Sequence, residues 1–130
     1  LVRDQGLGIM TYSPLGIGLL SGAYRPGEKP SPDTFWGSGR RELFESNLSG
    51  HTTSVLETVR QVASEVGKSV AQVALAWMLS HPEMATAISR GDTIEHIEDN
   101  VGALGWELPR EALERLETVS AAMLQGLRDD

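Results

Sequence analysis

The chain has 130 residues, 40% of them hydrophobic and 22% charged, with a formal net charge of -7, which is one domain's worth of material and enough for a core. These ordinary fractions exclude disordered, collagen-like and coiled-coil classes, and the acidic balance argues against nucleic acid, which needs a basic face to displace condensed counterions. Cysteine is absent, so there is no disulfide framework and no thiolate metal site; with no membrane-length apolar run and no leader-like start, the expectation is a soluble cytoplasmic protein with no membrane partner.

The opening residues, LVRDQG, read like the end of a helix already under way, and the chain starts with Leu1 rather than Met. Residues 7–12, LGIMTY, are a short apolar run without helical period, which predicts a strand buried on both faces, as in a parallel sheet. Residues 13–50 follow, rich in Gly, Pro and Ser, with Phe35 and Trp36 as anchors or covers. A connection this long suits a binding loop or lid. Arg40 and Arg41 within it read as a solvated pair.

Helical patterning begins at Ser54-Val55-Leu56-Glu57, a capping-box signature followed by Val55, Val59, Val62 and Val66, with Gly67 as the stop. Ser69-Val70-Ala71-Gln72 is a second box, opening a helix whose apolar stripe is Val70, Val73, Ala74 and Trp77. His81-Pro82 ends it, because proline disfavours helical backbone in the residue before it. Residues 85–89 predict a short strand, and Asp92-Thr93-Ile94-Glu95 a third cap with Asp92 as the acidic N-cap. Ile94, Ile97, Val101 and Leu104 predict the buried face of the next helix, ended by Gly105. Pro109 stands where a last helix begins, with Leu113, Leu116, Val119 and Met123 inward and an acidic, solvated outer face.

Strands alternating with helices imply right-handed βα units and a parallel sheet. Two strands alone make a poor sheet, a closed barrel needs eight strands and about 250 residues, and open parallel edges invite aggregation. The chain is therefore expected to be the C-terminal part of a larger domain. In such folds ligands sit at the carboxyl ends of strands. Two such ends are available: Tyr12-Ser13-Pro14-Leu15-Gly16, with a ring and glycine-flanked amides, and Ser89-Arg90-Gly91-Asp92, which opens a helix whose amides suit an anion. Together they suggest an extended dinucleotide.

GIMTYSPLGIGLLSGAY, VAQVALAWMLSHP and TIEHIEDNVGALGWELP, in this order and spacing, resemble the C-terminal third of an aldo-keto reductase. The resemblance covers nearly the whole chain and is weakest over residues 27–50. It implies the C-terminal part of a (β/α)8 TIM barrel, with residues 1–130 a partial domain. That part holds strands seven and eight with their helices, a C-terminal helix, and a long cofactor or substrate loop at about 13–50. By the same resemblance Tyr12 stacks on a nicotinamide ring, and Ser13, Pro14, Leu15, Gly16 and Ile17 wrap the pyrophosphate. Asp99 and Asn100 meet the adenine, with His96 a polar neighbour one turn earlier. A lysine often found at the Ala23 position is missing. Asp92 stands where many relatives carry a basic or hydroxyl group for the adenosine 2′-phosphate, and Arg90 can compensate by swinging toward the ribose. NADP is the expected cofactor, with NAD as the alternative.

The family's catalytic Asp, Tyr, Lys and His lie on earlier strands, and no segment here matches them; Lys29 and Lys68 are the only lysines. His51, His81 and His96 are not spaced as a metal site. No catalytic residue is therefore expected on this chain, and no turnover by it alone. The expected whole protein reduces aldehydes or ketones with NAD(P)H. Its expected partners are a small carbonyl substrate and the N-terminal part of the barrel; its oligomeric state is open. The rival readings are a non-catalytic, redox-sensing nucleotide-binding subunit of the same fold and a truncated product with no activity of its own.

Overall fold

A computed structural model describes residues 1–48 and 50–129. A single helical turn, α1 (Val2–Gln5), is closed by Gly6 and leads into strand β1 (Ile9–Tyr12). The connection after β1 carries a 3₁₀ turn (Leu19–Ser21) and a helix that periodicity did not reveal, α2 (Arg41–Asn47). Then come α3 (Gly50–Val66), α4 (Val70–Leu79), β2 (Met84–Ile88), α5 (Ile94–Val101) and α6 (Arg110–Asp129).

Local chemistry accounts for the helix ends. Gly67 takes φ +65°, a left-handed value that costs a side chain but not glycine, and the Lys68 amide reaches back to the Ala63 carbonyl at 3.1 Å. Two residues on, Ser69 accepts from the Gln72 amide at 3.0 Å while the Gln72 side chain accepts from the Ser69 amide at 3.2 Å. This is the expected reciprocal box, and it starts α4 at once. The box expected at Ser54 does not form: α3 already begins at Gly50, so Ser54 lies inside the helix, where its amide neighbours have intrahelical partners. At α5 the cap is Thr93, whose Oγ1 accepts from the His96 amide at 3.2 Å, and not Asp92. Asp92 lies a residue too early and turns to Arg90 instead.

The core is helical. Val55, Val59, Val62 and Ala63 of α3 interleave with Val73 and Ala74 of α4 and with Ala112 and Leu116 of α6. Trp77, Val119 and Met123 pack around them, as their spacing predicts, and Trp106 joins them. A second cluster joins Leu56 of α3 to Leu19, Trp36, Phe44 and Leu48 of the long connection. That connection is thus pinned to α3 rather than draped over it.

The two strands pair in parallel, with Tyr12 opposite Ile88 and an irregularity between Ile9 and Met10. The expected double burial of β1 is not seen: Met10 is 64% and Tyr12 85% exposed. The sheet among the described residues has two strands, so one face of the pleat lacks a covering layer. The predicted inward face of α5 is corrected for the same reason. Ile94, Ile97, Val101 and Leu104 are all exposed, because α5 meets α4 through its Asp99 side, where Asp99 binds Ser69. No helix among the described residues is long and apolar enough to cross a membrane.

Candidate functional site

Parallel pairing of Tyr12 with Ile88 places the carboxyl ends of both strands side by side. The segments that leave them, 13–17 and 89–92, therefore start from one edge of the sheet. This is the edge at which open parallel folds bind ligands.

The first segment is wound tightly. The amide of Gly16 donates to the Ser13 carbonyl at 2.9 Å, and those of Gly18 and Leu20 both donate to Leu15 at 3.0 Å. Ser13 and Ile17 both have φ 55°, a left-handed backbone rare in non-glycine residues, and Gly16 and Gly18 are left-handed too. At Ile17, a β-branched residue, the conformation costs about 1–2 kcal/mol. Its carbonyl accepts a 2.9 Å bond from the buried indole N–H of Trp36, which offsets about 1 kcal/mol of that cost. Among the described residues the amides of Leu15 and Ile17 donate to nothing. These two amides flank the left-handed Gly16 and are available as donors. Leu15 itself is anchored on the helical core, and the Tyr12 ring beside the loop is solvent-facing.

The second segment is held by polar contacts. Arg90 pairs with Asp92 at 2.5 Å, both exposed, and the Asn100 amide donates to the Arg90 carbonyl at 3.2 Å. Asn100 thereby ties α5 to the loop after β2. An exposed pair of this kind is worth under about 1 kcal/mol, so a ligand anion can draw Arg90 away from Asp92. Asp99 accepts from the Ser69 hydroxyl at 3.0 Å. Asp92, Asn100 and Arg90 are thus brought together and Asp99 is anchored beside the start of α4, whereas His96 is exposed, its amide bound to Thr93 Oγ1 and its ring near the Glu95 carboxyl. The start of α5 is partly self-satisfied. Hydrogen bonds from its own backbone amide and from the Thr93 hydroxyl hold the Glu95 carboxyl below the usual carboxylate range. An anion arriving here would rely on Arg90 more than on these helix amides.

Four residues contribute in ways that the sequence did not reveal. Trp36 was legible as an anchor but not as the donor to Ile17, Ser69 as a cap but not as the partner of Asp99, and the left-handed Ser13 and Ile17 carry no residue signal. A shallow cleft between α3 and α6, lined by Thr58, Gln61, Arg115 and Val119 among others, shares no residue with either loop. Among the described residues there is no cluster of three or more His, Asp or Glu able to hold a metal.

What the arrangement offers is an aromatic face, a pair of amide donors and an acidic-amide end with one loosely held guanidinium. That set fits an extended ligand with a flat ring at one end and phosphates in the middle. Residues 1–121 match the Aldo/keto reductase family. The chain is 34% identical over 104 residues to a rice (Oryza sativa subsp. japonica) protein named "Probable voltage-gated potassium channel subunit beta", covering 80% of this chain and 32% of that one. It is 31% identical over 114 residues to the chloroplastic pyridoxal reductase of Arabidopsis thaliana, covering 88% of this chain and 29% of that one. It therefore spans about a third of the length of these curated relatives. In fold it is similar to a glycerol dehydrogenase from Gluconobacter oxydans, with a TM-score of 0.68 at 17% identity, over 94% of this chain and 36% of that one.

Proposed function

The chain belongs to the aldo/keto reductase family, and from that premise we propose that it is the cofactor-holding C-terminal segment of an NAD(P)H-dependent oxidoreductase that reduces aldehydes or ketones to alcohols. The observation that carries the reading is the pairing of Tyr12 with Ile88, which brings both ligand loops to one edge. When bound, the nicotinamide supplies a hydride for a carbonyl carbon.

The chain's own residues then have separate tasks. Tyr12 offers a flat face to the nicotinamide, which orients the ring. Ser13, Pro14, Leu15, Gly16 and Ile17 cradle the pyrophosphate, with the Leu15 and Ile17 amides as donors. Asp99 and Asn100 take the adenine, His96 flanks it, and Arg90 and Asp92 stand at the ribose. NADPH is the first cofactor to test, on the family resemblance, and NADH is kept as the second because Asp92 repels a 2′-phosphate unless Arg90 swings to meet it. The catalytic acid and its partners are assigned to strands outside these 130 residues, as is the barrel that would cover β1 and α5. We place the protein in the cytoplasm; these 130 residues hold no cysteine and so make no disulfide of their own.

A redox-sensing, non-catalytic subunit is the second reading, favoured by the 34% identity to the rice protein. Oxidation of NADPH by the full-length protein over a panel of aldehydes and ketones separates the two. Steady turnover, with a Tyr12→Ala variant raised in KM for the cofactor, is the expected result. Tight cofactor binding without turnover would shift the assignment to the sensor, and no binding of either cofactor would remove both readings.

A further inference from the structure

We propose that Trp36 is a positioning residue for the phosphate loop, holding Ile17 left-handed from a buried seat in the long connection. This rests on the reading of residues 13–17 as the dinucleotide's phosphate site. Within that loop the carbonyls of Ser13, Leu15 and Gly16 accept from nearby backbone amides, those of Gly16, Gly18, Leu19 and Leu20. The Ile17 carbonyl instead takes its bond from a side chain 19 residues further along, the indole of Trp36. Ile17 is also the loop residue whose branched side chain least tolerates its φ of 55°. An outside donor is thus applied at the loop's most strained residue.

The donor is itself well fixed. Trp36 is 4% exposed, with the Phe35 ring edge-on at 5.0 Å and Phe44 tilted at 6.0 Å. The Arg40 guanidinium lies 4.3 Å over Phe35 and donates to its carbonyl at 3.1 Å. Thr34 closes the turn that leads in, donating to Ser31 at 2.7 Å and accepting from the Gly37 amide at 3.2 Å. Such a frame presents one N–H at a set place, and the Ile17–Gly18 peptide plane follows it. Holding that plane keeps the loop amides arranged for phosphate before the ligand arrives, which lowers the ordering cost of binding.

The test is Trp36→Phe in the full-length protein, which keeps a buried ring and removes the N–H. Calorimetric Kd for NADPH and NADH is expected to rise about tenfold, the scale of one lost hydrogen bond with loop disorder. The KM for cofactor should rise alike, while kcat and the carbonyl KM stay at wild-type values. Adding Ile17→Gly, which adopts a left-handed φ without penalty, should restore most of the affinity. Benzothienylalanine at position 36, a bicyclic ring without N–H, gives the same reading should the phenylalanine variant not fold. Unchanged Kd, or an equal fall in kcat and rise in carbonyl KM, would overturn the inference while leaving the cofactor site intact. A wild-type protein that binds neither dinucleotide would overturn the cofactor reading and this inference with it.

Discussion

Ser69 works in two directions through one oxygen: it accepts from the Gln72 amide and donates to Asp99. Replacing it with alanine removes the cap of α4 and releases Asp99, and should lower unfolding stability by about 1–2 kcal/mol in denaturant titration. Leu116 is the contrasting case. It lies on α6, fully buried in the helical cluster shared with α3 and α4, so Leu116→Ala should cost about 2–5 kcal/mol, measured the same way, through lost transfer energy and a residual cavity. The order of these two effects is the check: a cap loss exceeding the core loss would mean that the helical core is not the seat of stability. Glu117 shows the weak end of the range. One of its oxygens receives the Trp77 indole at 2.7 Å and faces the His81 ring at 3.1 Å, but on an exposed surface.

Among the elements, the turn before α2 has the least freedom to change. A Cβ added at Gly37 would lie 1.9 Å from the Ser31 carbonyl oxygen, which is backbone and cannot swing aside. Gly37→Ala should therefore cost about 1–3 kcal/mol by thermal melting and displace its neighbour Trp36. At the other edge of the sheet α1 is tied down by Arg3, which binds Glu83 just before β2. The hydrogen bond from Arg3, then one from backbone, holds the Glu83 carboxyl below its ordinary range. A lowered folded-state value means that Glu83 favours folding above the ordinary carboxylate pKa and loses that contribution as pH falls through the lowered one. Melting temperature should thus fall on acidification, with a shallower fall in Glu83→Gln. Helices α3, α4 and α6 were legible because their apolar residues recur at 3.6-residue spacing and find each other. The buried faces expected of β1 and α5 were not, because a pattern such as Ile94, Ile97, Val101 and Leu104 records what a face suits, not whether a partner covers it. The short α2 escaped since its one buried residue, Phe44, makes no period.

At the scale of the whole molecule the helices are packed and the sheet is half-covered. Met10, Tyr12 and Ile88 on the strands and the outward face of α5 leave apolar surface exposed. With the chain about a third as long as its curated relatives, the proposal assigns that surface to the rest of the barrel. The candidate site was legible as residue types at two strand ends, and their adjacency required the register of Tyr12 with Ile88. The left-handed Ser13 and Ile17 were invisible in advance, because neither residue type advertises that backbone. The most direct measurement is calorimetric titration of the full-length protein and its Tyr12→Ala, Asn100→Ala double variant with NADPH and with NADH. Loss of one stacking contact and one hydrogen bond should weaken binding roughly 10- to 100-fold. Equal affinity of the double variant and the wild type would contradict the site.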